Sequence, residues 1–327
     1  PDQVDSAKVL AQFAAGATIV LQGLHRLWPP MIEFVRGMVD DLGHPVQANA
    51  YITPPANRGF DPHYDVHDVF VLQTSGRKHW RVHEPVHRDP LPTQPWTDHR
   101  DAITARGDDR PVIDTVLEPG DALYLPRGWV HSAEALGDTS IHLTIGVSAV
   151  TTYDLVRAVM DQLGNVESMR ASLPMGNDFT DRDETAAQAT KAIAAAIDVL
   201  QNGTTDLAEG VASRMSAVHA ERTRPDAVRP LATLRAVDAL DEHTVVRRRH
   251  GMVTEIRRSA ERTEIRLADR SISFPDHCTA ALEAVVSGDG VAAGRLPELD
   301  TADGLVLIRR LLREGVVVPD DRPVRDE

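Results

Sequence analysis

The chain has 327 residues, 42% of them apolar and 4% aromatic, with a formal charge of −14. That length allows two or three domains at about 100–200 residues each, and the acidic balance excludes a general affinity for nucleic-acid backbone, because phosphate neutralisation needs a basic surface. The single cysteine, Cys278, excludes an internal disulfide and points to a reducing compartment, the cytoplasm, and no run approaches the ~20 apolar residues of a membrane span. The chain opens on Pro1 with no charged-then-apolar leader and reads as lacking part of its native start.

In chain order, Ala7–Ala14 reads as a short helix and Ala17–Leu24 as a strand. Pro30–Leu42 has apolar residues at helical spacing, with proline early, where a helix tolerates it. From Ala48 the pattern changes to short runs rich in Val, Ile, Leu and aromatics, punctuated by Gly and Pro. These predict strands at Tyr51–Thr53, Val69–Gln73, His79–His83, Val112–Leu117, Ala122–Leu125 and Ser140–Val147, with Thr74–Arg77 as a hairpin turn. Many short strands with turn signals predict a barrel or a sandwich. Between them lies Glu84–Pro111, polar and proline-rich, read either as a functional loop or as a disordered surface insertion.

Residues 151–240 predict three helices, Thr152–Leu163, Glu184–Asn202 and Leu207–Arg222. The middle one is Ala-rich with a broad apolar face, which suits packing against another subunit. Residues 241–327 form a third unit: strands at Val245–Arg249, Met252–Arg258 and Thr263–Leu267, a helix at Pro275–Ser287, a link at Arg295–Leu299, a helix at Thr301–Glu314 and a strand at Val316–Val318. That is the outline of a winged helix. From Asp276 to Asp321, nine acidic residues face four arginines, a net of −5, so this unit reads as structural or protein-contacting rather than DNA-binding. The run Arg247–Arg249 reads as a solvated strand edge.

The chemistry concentrates in two segments, Gly59–Pro85 and Glu118–Glu134. His63 and Asp65 are two apart, so on an extended chain both side chains point to one side, and Pro62 favours that extension. His131, 66 residues after Asp65, supplies a third donor. Two imidazoles and one carboxylate form the facial triad of non-haem Fe(II) oxygenases, which leaves open positions for a 2-oxo acid and for O₂. The other histidines of this region, among them His67, His79, His83, His87 and His99, read as ordinary surface or core residues. His67 and Asp68 lie near the pair but lack the matching spacing. Lys78 follows His63 by fifteen residues and shares a strand face with Trp80 and Val82. An inward lysine needs an anion, because an unpaired buried charge is costly, and the distal carboxylate of 2-oxoglutarate fits that need.

The stretches Asn49–Pro55, Gly59–Gln73, Gly76–Val82, Leu117–Glu134 and His142–Thr144 together resemble the JmjC-type ribosomal oxygenases, 2-oxoglutarate-dependent protein hydroxylases of the cupin superfamily. The resemblance implies an α+β chain. A double-stranded β-helix barrel (residues 1–150) would be followed by a helical dimerisation region (151–240) and a C-terminal winged helix (241–327). It implies Fe(II) on His63, Asp65 and His131, the distal carboxylate of 2-oxoglutarate on Lys78, and Asn49, Tyr51 and Thr144 along the pocket. It further implies a homodimer that hydroxylates an Arg or His side chain of a ribosomal protein with O₂. The chain departs from the pattern at Gly146, where relatives often carry a polar residue, and in its long loop before Pro111. Two other readings remain at this stage: a 2-oxoglutarate oxygenase acting on a small molecule or biosynthetic peptide, and a non-catalytic metal-binding cupin with a regulatory winged helix.

Overall fold

The structure is a computed structural model that describes residues 4–320 apart from 56, 58, 59, 224, 253, 268, 269 and 289. Gly59, which opens one of the matching stretches, and Val253, inside the expected strand Met252–Arg258, therefore lie outside the described residues. The order of elements is α1 (Ser6–Ala14), β1 (Ile19–Leu21), α2 (Leu24–Leu27), α3 (Pro29–Leu42), β2 (Val46–Thr53), β3 (Asp68–His83), α4 (Arg100–Gly107), β4 (Ile113–Leu117), β5 (Ala122–Leu125) and β6 (Val130–Val147). Then come α5 (Thr152–Leu163), α6 (Arg182–Asn202), α7 (Thr204–Thr223), α8 (Pro230–Asp238), β7 (Val245–Arg248), β8 (Glu255–Arg258), β9 (Arg262–Arg266), β10 (Ser271–Pro275), α9 (Thr279–Val286), β11 (Val291–Ala292), α10 (Thr301–Arg313) and β12 (Val317–Pro319). The chain divides into two units, one of Pro1–Ala149, Pro225–Met252 and Ala284–Glu327, the other of Val150–Arg224 and Val253–Glu283.

The first unit is built on an antiparallel sheet in the order β1-β2-β6-β3-β4, with β5 also on β3. Helix α3 covers one side of it. Met31, Val35 and Val39, four apart and therefore on one helix face, pack with Val46 and Ala48 of β2 and Ile145 and Val147 of β6. Full burial of each such aliphatic side chain stabilises the fold by roughly 1.5–3 kcal/mol. A second cluster, Val69, Val71, Trp80, Val82, Leu117, Leu123 and Leu125, lies where β4 and β5 meet β3.

The expected hairpin at Thr74–Arg77 is not a hairpin. Strand β3 runs straight through it, paired with β6 along its whole length from Asp68↔Val147 to His83↔Val130, with register shifts between Gln73 and Ser75 and between Ser75 and Arg77. Such bulges bend and twist a strand without reversing it. Gly76 sits at φ +62°, and a Cβ there would lie 2.3 Å from the Thr139 carbonyl oxygen, so the bend requires glycine. The same glycine that reads as a turn signal serves a bulge. The bend lets the two halves of β3 take different partners, β5 for the first and β4 for the second.

The run Arg247–Arg249 is not a solvated edge either. Strand β7 lies between β11 and β12 as the middle strand of its sheet. Arg247 is 7% exposed, with its guanidinium 3.3 Å from Glu33 and 3.8 Å from Asp320. Arg248 reaches Asp40 of α3 at 3.5 Å, and Arg249 donates to the carbonyls of Asp226 and Gly315. The positive charge of this run is spent inside the unit.

In the second unit, α5 matches its expected span and α7 lies against it, tied by Arg214 to Asp161 at 2.7 Å. The long α6 buries none of its residues, and β8, β9 and β10 form an antiparallel sheet of their own. No described helix is long and apolar enough to cross a membrane.

Candidate metal centre

His63 and His131 are placed side by side by the backbone. Each donates its amide to the other's carbonyl, at 3.2 and 2.8 Å, in an isolated antiparallel bridge beside β6. The imidazole centroids are 4.5 Å apart. Asp65 is fixed two residues on, where its carbonyl accepts the Gly128 amide at 3.0 Å, and its carboxylate lies 3.7 Å from His131 Nε2. One donor atom from each of His63, Asp65 and His131 falls within 4.8 Å of the others, so the three can hold a single ion, and they are the one such group among the described residues.

The ring orientations suit that use. His63 Nδ1 donates to the Asp61 carbonyl at 2.7 Å and His131 Nδ1 to the Trp129 carbonyl at 3.0 Å. A carbonyl can only accept, so both protons sit on Nδ1 and both Nε2 lone pairs are left for a metal, the usual outer support of a ligating histidine. Burial, with the neighbouring His63, pushes His131 down to about 4 against the opposing pull of Asp65, which keeps it neutral and ready to bind.

The nearby competitors are committed elsewhere. Asp68 accepts the Arg127 amide at 2.9 Å, and the His67 ring fills the space beside Gly146, where a Cβ would come within 2.6 Å of it. That contact explains the glycine at 146: a side chain there has no room while His67 holds its place. His79 pairs with Asp114 on the surface.

The three donors open into a cavity of about 460 Å³. Lys78 and Trp80 of β3, Tyr51 of β2, and His142 and Thr144 of β6 border it, as period-2 alternation on each strand requires. Lys78 is 3% exposed, and its ammonium donates to Thr53 Oγ1 at 3.1 Å with no carboxylate in ion-pair range among the described residues. Burial alone brings it down to about 8. Tyr51 stacks on His142 at 5.0 Å and is hydrogen-bonded to Thr144; burial, then the Asp65 charge, raises its phenol. His142, missed in the sequence reading, is held neutral by burial and by the Lys78 charge. It sits two residues before Thr144 on one strand face, which was the available signal. Asn49 does not border the cavity; its side-chain oxygen accepts the Gly23 amide at 3.0 Å and anchors the start of α2.

The long loop is ordered, contrary to the insertion reading. It contains a 3₁₀ turn at Trp96–His99 and then α4, whose Ile103 is buried against Tyr64 and Val130. Tyr64 donates its hydroxyl to the Gln94 carbonyl at 3.0 Å. The loop thereby delivers Trp96 to the cavity wall, its ring 6.1 Å from His63. Proline and polar composition disguised a segment whose few apolar residues are spent on docking it.

Residues 29–155 match the family model described as the JmjC domain. Over that stretch the chain is similar to a JmjC domain. It is 37% identical over 167 residues to Ribosomal oxygenase 1 of Rattus norvegicus, covering 49% of this chain and 27% of that protein. It is 38% identical over 131 residues to the bifunctional lysine-specific demethylase and histidyl-hydroxylase NO66 of Drosophila persimilis, covering 40% of this chain and 18% of that protein. The chain thus spans about a quarter or less of the length of these relatives. Among solved structures, the Escherichia coli ribosomal oxygenase YcfD superposes with a TM-score of 0.53 at 20% identity, over 93% of this chain and 78% of that one. That likeness shows a shared fold of mixed α and β content. Another structure of that protein, in complex with cobalt and 2-oxoglutarate, gives a TM-score of 0.50 at 19% identity over the same shares.

Proposed function

We propose that this chain is an Fe(II)- and 2-oxoglutarate-dependent dioxygenase that hydroxylates an Arg or His side chain of a ribosomal protein. The observation that carries the reading is the pairing, in one cavity, of the His63–Asp65–His131 donor set with the buried ammonium of Lys78. Two imidazoles and a carboxylate suit Fe(II) and leave open positions. The cation, without an ion-pair partner among the described residues, and Trp80 Nε1 and His142 Nδ1, without a hydrogen-bond partner among them, suit a polar cosubstrate with a carboxylate at its far end. Similarity to ribosomal oxygenases, and the cobalt and 2-oxoglutarate held by the E. coli protein, support it.

On this reading His63, Asp65 and His131 hold the metal and Lys78 orients 2-oxoglutarate through its distal carboxylate. Tyr51 and Thr144 position it from the side, while Val69, Val71, Leu125 and Trp80 keep water out of the inner wall. With 2-oxoglutarate and O₂, the bound iron would supply an oxidant able to replace a C–H hydrogen by hydroxyl. The protein's own contribution is to place that C–H and to keep His131 and His142 uncharged beside the site.

The organisation proposed with this function is a catalytic region over 1–150, a helical dimerisation region over 151–240 and a winged-helix region over 241–327, in a cytoplasmic homodimer without direct DNA contact. The engagement of Arg247–Arg249 inside its own unit supports the last point. The test is incubation with Fe(II), 2-oxoglutarate, O₂ and ribosomes from the protein's own host, with +16 Da shifts mapped by mass spectrometry. One oxidised Arg or His site, absent with His63→Ala, is the expected result. Turnover of 2-oxoglutarate with small molecules but no ribosomal mark would move the substrate to the small-molecule reading.

A further inference from the structure

Trp96 is held as a fixed wall rather than as a loose loop residue. Ile103, in the helix that follows it, is buried, and the Gln94 side chain accepts from the Leu91 amide at 2.9 Å and meets His87 Nε2 at 3.2 Å. The guanidinium of Arg100 lies over the indole, 4.8 Å from the ring centroid. Phe60 stands 5.7 Å from His63 and is 52% exposed, so the rings of Phe60 and Trp96 both neighbour this metal-ligand candidate. Asp61 borders the same cavity. Phe60 is exposed and Trp96 half-buried, and both rings border the cavity, so this aromatic wall is open to what enters it.

We infer that Trp96, with Phe60, is the specificity-determining wall of the site and receives a flat, π-bearing side chain of the target, a guanidinium or an imidazole, as it enters beside His63. This rests on the reading that a target residue enters this cavity. Aromatic faces attract planar cations and stack on planar rings, whereas a lysine ammonium gains less and an aliphatic chain gains neither. Arg100 already shows that this indole accepts a guanidinium over its face.

The test needs no turnover. The Zn(II)-loaded protein with 2-oxoglutarate is titrated with the N-acetyl methylamides of arginine, histidine, lysine and leucine, with affinity read by ligand-observed NMR. The arginine or histidine probe, or both, should bind about tenfold more tightly than lysine and leucine. Trp96→Ala should lose that preference and Trp96→Phe should keep most of it. Equal binding of all four probes, no binding by the wild type, or an unchanged preference in Trp96→Ala each overturns the inference. Should Trp96→Ala fail to fold, Trp96→Leu decides by the same titration. Iron-loaded wild type that consumes no 2-oxoglutarate would sink the oxygenase reading and leave these affinities standing, so the two failures are distinguishable.

Discussion

Lys78 shows how one side chain can weaken a fold and enable its site. Its ammonium is taken from an ordinary 10.5 to about 8 by burial, with the Thr53 hydroxyl as its one hydrogen-bond partner among the described residues. A difference of that size corresponds to ~3 kcal/mol. Below pH 8 both the folded and the unfolded chain hold the proton, so the empty protein carries the full cost. Between pH 8 and 10.5 the folded chain sheds the proton first, and stability rises through that window. Lys78→Met should therefore raise the melting temperature of the metal-free protein at pH 7, by a gain on the order of 1–3 kcal/mol, while weakening 2-oxoglutarate binding at least ~100-fold. A variant that melts lower yet binds 2-oxoglutarate normally would refute both roles. In the wild type the same charge sets a pH limit. The 2-oxoglutarate dissociation constant should be flat below pH 8 and rise as Lys78 deprotonates above it, about tenfold per pH unit, measurable by calorimetry on the Zn(II)-loaded protein. His63→Ala removes one of the three donors and should lower metal affinity by more than ~100-fold, beyond what loss of an outer partner costs, which Co(II) titration by visible absorbance would show.

The elements that build the site were unevenly legible. The period-2 pattern of β3 put Lys78 and Trp80 on one face, because alternation is a local property of an extended chain, whereas Tyr51 and Thr144 were reached through the resemblance alone. The bulged course of β3 was not legible, since Gly76 signals a turn and a bulge equally well and only pairing with β6 across both halves decides. The docking of the long loop was not legible for a similar reason: Ile103 and Trp96 carry no periodicity, and their partners Tyr64 and Val130 lie far off in sequence. The turn at Gly128 ties these elements together. It sits at φ +85°, donates to the Asp65 carbonyl, and leaves 2.5 Å between a would-be Cβ and the His87 carbonyl oxygen of the loop. Gly128→Ala should thus move the loop, Asp65 and His131 at once. The expected outcome is a loss of ~1–3 kcal/mol in denaturant unfolding and weakened Co(II) binding. An alanine variant with wild-type metal affinity would show that the turn does not set the triad.

At the scale of the molecule, acidic excess and helical periodicity were visible in the sequence, but the use of individual charges was not. Arg247–Arg249 looked like a solvated edge because a sequence does not say that β7 is the middle strand of its sheet. The unexplained surface is on the helices. Helix α6 is 21 residues long with none buried, and Ile193 and Ile197, one turn apart and so on one face, are 61% and 48% exposed. Helix α5 leaves Tyr153, Leu155, Val156 and Met160 exposed as well. An Ala-rich helix gains little from propensity alone once it is surrounded by water, and in proteins most helical stability comes from packing an apolar face. A second copy of the chain is the proposed cover, in the two-fold arrangement commonest for homo-oligomers. Light scattering should then return twice the 35.8 kDa of one chain. Ile193→Asp with Ile197→Asp would place two charges in the covered face, each costing several kcal/mol when desolvated without a partner, and should return a monomer that still binds Co(II) at His63, Asp65 and His131. A wild type that stays monomeric at micromolar concentration, or a double variant that stays dimeric, would put the covering surface somewhere other than α6.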